Sequence, residues 1–109
     1  MSPYIIPGII RLKAPKVDEI ISTVADHYGV SVLDIKGISR KRNIVLARHV
    51  AMYFVYKKTE LSQENLAPVF ECNRTMINYA TKMINNYVKT KNETVCADLY
   101  NLNIVLSCR

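Results

Sequence analysis

The sequence predicts an all-α fold, a compact bundle of about five to six helices containing a helix-turn-helix. Three observations carry that expectation. Beyond residue 15, apolar residues recur at i, i+3 and i+4, and strand-type alternation of useful length is missing. Capping residues and glycines punctuate the apolar runs at Gly29, Ser31, Gly37, Ser62 and Asn73. Finally, residues 61–90 read as two helices joined by a tight turn.

Residues 1–15 are expected to form an extended arm, because Pro3, Pro7, Pro15 and Gly8 oppose a helix. The arm's Tyr4, Ile5, Ile6, Ile9 and Ile10 offer a surface for association with a protein partner or a second copy. Residues 16–109 make the single helical domain. Its first helix, about Lys16 to Tyr28, is patterned by Val17, Ile20, Ile21, Val24, Ala25 and Tyr28 and stops at Gly29. Ser31 with Asp34 three residues on starts a short helix over Val32–Lys36, which Gly37 ends. A basic connection leads into a long helix, about Lys41 to Lys58, apolar nearly all round and hence central to the bundle. Arg48 and His49 are its polar exceptions.

Ser62 caps the next helix, expected to reach Phe70 with Leu66, Val69 and Phe70 inward and Pro68 tolerated through a bend. Asn73 caps the helix after the turn. The last helix, about Glu93 to Leu106, is expected to bury Val95, Leu99, Leu102, Val105 and Leu106.

The spacing Leu66-Ala67-x-x-Phe70-x-x-Asn73-x-x-x-Ile77 fits a helix-turn-helix at about 62–90. It sets a small residue at the crossing, an apolar residue before the turn, a cap, and a β-branched anchor one turn in. With 100° per residue counted from Arg74, an inward face holds Met76, Ile77, Ala80, Met83, Ile84, Tyr87 and Val88. The outward face holds Arg74, Thr75, Asn78, Thr81, Lys82, Asn85, Asn86 and Lys89, with Tyr79 at the border. That outward face has no carboxylate, which suits phosphates and base edges. Arg74 is placed to contact guanine, Asn78 adenine, and Thr75 a thymine methyl or a phosphate, with Lys82 nearer the phosphates.

Charge supports the same partner. The net charge is +6, and Lys36, Arg40, Lys41, Arg42, Arg48, Lys57 and Lys58 fall in one segment without an acid. Such a segment favours a polyanionic partner, and beside the carboxylate-free face from Arg74 to Lys89 it points to double-stranded DNA. The loop Arg40–Arg42 is placed to reach a minor groove or a neighbouring backbone.

Other chemistries lack their motifs. Gly8, Gly29 and Gly37 are isolated, so no phosphate-binding loop and no nucleotide are expected. Cys72, Cys96 and Cys108 lack metal-type spacing and read as reduced thiols of a cytoplasmic, nucleoid-associated protein. The expectation is no cofactor, no metal, no membrane span and no enzymatic activity.

The stretch from Val24 to Phe54 resembles the start of the C-terminal DNA-binding domain of the bacterial replication initiator DnaA. The matching residues are Val24, Ala25, Tyr28, Asp34, Arg40, Arg42, Arg48, Ala51 and Met52. Together with the helix-turn-helix, the resemblance covers roughly residues 17–90. It implies duplex binding, with the basic loop in the minor groove and the second helix of the motif in the major groove. Arg42 is then the expected minor-groove contact, and Arg48, matching the arginine at the head of the long helix, faces phosphate. His49 replaces the usual glutamine. The family signature F-G-G-R-D-H-[ST]-T-V is here one residue shorter at the turn, Phe70-Glu71-Cys72-Asn73-Arg74-Thr75-Met76-Ile77. Asn73 stands for Asp, Arg74 for His, and Thr75 keeps the hydroxyl. The family's ATPase domain is absent, so the expectation is a free-standing, diverged domain acting in replication or its regulation. The alternative is a protein-interaction module that binds a replication or transcription partner without touching DNA. RNA binding through the same basic surface is a third reading.

Overall fold

The structure, a computed structural model, describes residues 16–107. The expected arm and Cys108 lie outside the described residues. Six helices follow one another: α1 (Val17–Tyr28), α2 (Val32–Lys36), α3 (Arg42–Lys58), α4 (Gln63–Leu66), α5 (Arg74–Lys89) and α6 (Glu93–Ser107). The all-α class and the helix-turn-helix are as the sequence predicts.

The apolar character of α3 makes it the axis of the bundle. It packs on α1 and α5, and also touches α2 and α4, while α6 closes the far side against α1 and α5. The core runs from Ile20, Ile21 and Val24 of α1 through Val50, Met52 and Val55 of α3 to Leu66, Ile77, Ile84 and Leu102, all almost wholly buried. Full burial of each such side chain contributes about 1.5–3 kcal/mol. A polar tie fixes α6 to α1: the Asp98 carboxylate meets His27 Nε2 and accepts from the Tyr28 hydroxyl, each at 2.9 Å. Burial, reinforced by that carboxylate, pushes the Tyr28 hydroxyl well above its ordinary pKa.

Local chemistry sets the helix ends. The Ser31 hydroxyl accepts from the Asp34 amide at 2.9 Å, and Asp34 reaches back to the Ser31 amide, which completes the expected capping box. Gly29 takes a left-handed conformation with φ 68°, and the Val30 amide returns to the Ala25 carbonyl. Glu71 and Lys91 take the same conformation with φ 54° and 60°, although neither is glycine. At both, the amide of the following residue reaches back five positions, Cys72 to Ala67 and Asn92 to Tyr87, so the helical turn closes sharply.

Three sequence expectations need correction. The helix after Ser62 ends at Leu66 rather than Phe70, with residues 67–70 forming turns. Pro68 supplies no amide, and the Val69 and Phe70 amides both converge on the Leu66 carbonyl. Val105 is exposed, because α6 buries only the Val95–Leu102–Leu106 stripe fully. On α5 the buried stripe is Ile77, Ala80, Thr81 and Ile84, so Thr81 is inside, whereas Met76 and Val88 are exposed. A threonine tolerates that place because its hydroxyl donates to the Ile77 carbonyl at 2.9 Å and leaves no polar atom unpaired.

Candidate nucleic-acid interface

The inward stripe of α5 spans about 240–340° on the wheel counted from Arg74, which centres the outward arc near 100°. Thr75, Lys82, Asn86 and Tyr79 dominate that arc, and Arg74 and Met76 border it. Arg74, Thr75 and Lys82 are exposed, and no carboxylate pairs with them among the described residues. Asn73 is exposed too, but its side-chain oxygen accepts from the Met76 amide at 3.0 Å and so is committed to the cap. Asn78 is half-buried, with its side-chain oxygen 3.5 Å from the Gln63 amide nitrogen, leaving it a tethered rather than a free reader.

Beside this face lies the loop from Gly37 to Lys41. Arg40, Lys41 and Arg42 are all exposed. A cleft of about 720 Å³ separates the loop from the start of α5, lined by Ile38, Arg40, His49, Glu71, Met76 and Tyr79 among others. A second cleft joins Arg40 and Arg42 to Tyr79, Met83 and Tyr87. The fold thus brings the basic loop and the outward helix face alongside each other, as expected. It also inserts Tyr79 and Met76 between them, 51% and 37% exposed. Neither was selected as a site residue from the sequence. The signal for Tyr79 is its border position, and that for Met76 is hidden by an expected inward face about 40° out of phase.

Arg48 is placed differently from expectation. Arg48 is only 8% exposed. Its Nε donates to the Ile35 carbonyl at 2.8 Å, Nη2 to Asp34 O at 3.0 Å and Nη1 to Ser39 O at 3.0 Å. The guanidinium therefore faces the last turn of α2 and the basic loop instead of phosphate. There it satisfies the Ile35 carbonyl at the helix end and adds a donor to the Asp34 carbonyl, which also accepts from the Gly37 amide. Burial lowers the Arg48 pKa, yet a guanidinium stays charged at neutral pH. His49 is buried as well and stacks edge-on against Tyr79 with ring centroids 5.6 Å apart. Desolvation, with the adjacent Arg48 charge, holds its imidazole below the ordinary value. Cys72 sits half-buried at the turn, and burial raises its thiol pKa against the opposing pull of Arg48.

The helix starts carry the electrostatic argument. The first turns of α1, α2, α4 and α6 hold Asp18 and Glu19, Asp34, Glu64 and Glu93. Acids belong there because a helix N-terminus is the positive end of its dipole. The first turns of α3 and α5 hold no acid and begin with Arg42 and Arg74. At α3, no side chain caps the exposed amides. Each arginine forgoes about 0.3–1 kcal/mol that an acid would contribute. Both helix starts are therefore cationic, and at α3 the amides carry no side-chain cap.

Fold and surface together define a helix-turn-helix domain of the nucleic-acid-binding class. The description "Bacterial dnaA protein helix-turn-helix" matches residues 17–84, and the chain belongs to that family. Among its relatives is the "Chromosomal replication initiator protein DnaA" of Tropheryma whipplei (strain Twist). It is 35% identical over 92 residues, which cover 83% of this chain and 19% of the relative. The protein of the same name from Gloeothece citriformis (strain PCC 7424) is 38% identical over 90 residues, 82% of this chain and 20% of the relative. "Chromosomal replication initiator protein DnaA 1" of Chlamydia pneumoniae is 34% identical over 88 residues, 81% and 18%. The chain thus spans about a fifth of the length of these relatives. Among the described residues, no helix is long and apolar enough to cross a membrane.

Proposed function

We propose that this chain is a sequence-selective duplex DNA-binding domain that acts in replication or its control. The observation that carries this reading is the pair of arginine-led helix starts at α3 and α5, against four acid-led ones. α5 enters the major groove, where Arg74 addresses guanine and Thr75 a thymine methyl or a phosphate. Lys82 lies about 12 Å further along α5 and meets the backbone. Arg40 projects from the loop and Arg42 from the first turn of α3, and they follow the adjacent minor groove or its phosphates. Arg48 acts through the loop it holds. No catalytic step, cofactor or metal enters this reading.

A gel-shift titration with duplexes drawn from a random library tests it. Retardation that is steeply salt-dependent and selects a sequence is expected; no retardation at micromolar protein in low salt rejects the reading. Arg74→Ala weakens binding to the selected duplex by roughly ten- to a hundredfold and relaxes one base position. Arg42→Ala weakens all duplexes alike and lowers the salt slope by about one.

A second reading has its own observation. Tyr100, Ile104 and Val105 leave an apolar strip exposed along α6, a fitting contact for a protein partner. A partner that stays bound after nuclease digestion, and is lost in Tyr100→Ala, would favour it.

A further inference from the structure

We propose that Ile38 is an apolar wedge that presses into the minor groove and bends the bound duplex. The proposal rests on the DNA-binding reading above and adds to it a residue that contacts neither phosphate nor major-groove edges.

Ile38 is 96% exposed, the most exposed of the large hydrophobic residues in the described structure. Water is a poor environment for a β-branched aliphatic side chain, and a surface isoleucine this bare is an available apolar contact. Its place is specific. It stands in the basic loop two residues before Arg40, and it lines the same cleft as Arg40, Met76 and Tyr79, on the side that α5 presents to the major groove.

The loop is also held firmly. Arg48 grips the carbonyls of Asp34 and Ile35 on one side of Ile38 and of Ser39 on the other. Gly37 lies so near the Leu33 carbonyl that an added Cβ would stand 3.1 Å from it, so the turn that leads into Ile38 is tightly packed. An exposed side chain on a braced loop loses little freedom when it binds. Apolar wedges flanked by arginine are a general device for prising apart a base step in the minor groove. The wedge unstacks the step and kinks the duplex toward the major groove, which here is the groove α5 occupies. The selected duplex should then carry a flexible pyrimidine–purine step under the loop.

The test uses the duplex selected from the random library, labelled at its ends with a fluorophore pair that reports the end-to-end distance. The parent protein shortens that distance on binding. Ile38→Ala binds about tenfold more weakly, with an unchanged salt slope, and leaves the duplex near its free length. Ile38→Phe restores the bend. Because the side chain is exposed, circular dichroism of both variants matches the parent. A parent that binds without shortening the duplex, or an Ile38→Ala that bends it as the parent does, overturns the wedge while the DNA-binding reading stands. A parent that retards no duplex overturns both.

Discussion

Arg48 separates a phosphate contact from a structural brace, and Arg48→Met tells the two apart. The substitution keeps an apolar stem of similar reach and deletes three donors. Hydrogen bonds from a charged group contribute about 1.5–3 kcal/mol each, but they do not simply add here. The acceptors Asp34 O and Ser39 O are only partly buried and regain water, whereas the Ile35 carbonyl bond is buried and its loss is felt in full. Removing a buried charge also returns some desolvation cost. The balance is a loss of about 2–4 kcal/mol, a large share of the roughly 5–15 kcal/mol that holds a small domain. Urea unfolding measures it directly, as a lower midpoint at unchanged slope. Five-residue α2 cannot stand without tertiary support, so amide exchange should accelerate first at residues 32–41. A phosphate contact predicts the opposite pattern, with full stability and lost DNA affinity. A stability loss below about 0.5 kcal/mol would refute the brace.

Three further outcomes are expected. Arg74→Glu places an acid at the positive end of α5. It should raise stability by about 0.3–1 kcal/mol in urea while abolishing DNA retardation, and an unfolding midpoint that falls would contradict the helix-end argument. Glu71 holds φ 54° without being glycine, so Glu71→Gly should stabilise by about 1 kcal/mol and raise the melting temperature by about 5 °C; an unchanged or lower melt would show that the turn carries no such strain. His49 has a folded pKa below that of the unfolded chain, so the unfolded state takes up the proton first as the pH falls. Its contribution is complete above about pH 6.5 and is lost at lower pH, with a slope of up to about 1.4 kcal/mol per pH unit. The difference in stability between parent and His49→Gln, measured from pH 8 down to pH 5, should therefore shift against the parent below about pH 6.5.

Periodicity and capping made most of the fold legible. The central position of α3 follows from its having no polar side, and the α2 boundaries from Ser31, Asp34 and Gly37. The interface was half legible. Arg40, Lys41, Arg42, Arg74, Thr75 and Lys82 are exposed, as their pattern implies. The rest depended on facts that spacing does not carry. Thr81 hides its hydroxyl on its own helix, so polarity misplaces it and shifts the phase of the whole α5 wheel. Arg48 lies thirteen and nine residues from Ile35 and Ser39, and only the folded chain shows that their carbonyls converge on its guanidinium. Pro68 gave fair warning of a broken helix, but not that the break comes as early as Leu66.

The placement of Arg48 and His49 explains how two reading elements keep one spacing. They are consecutive on α3, so their side chains leave the helix about 100° apart. One fixes the basic loop through three carbonyls, and the other packs against Tyr79 of α5. A single turn of the most buried helix thus references both the basic loop and the exposed face of α5. In the proposed binding mode, a separation set before binding spares the cost of ordering the two elements on the duplex. Damage to either residue should then act on both arms together. In the proposed mode, Arg48→Met should reduce the base selectivity assigned to Arg74, and His49→Ala should weaken the contribution assigned to Arg42. A double-mutant cycle between Arg48 and Arg74 that shows simple additivity in DNA affinity would mean that the two arms are positioned independently.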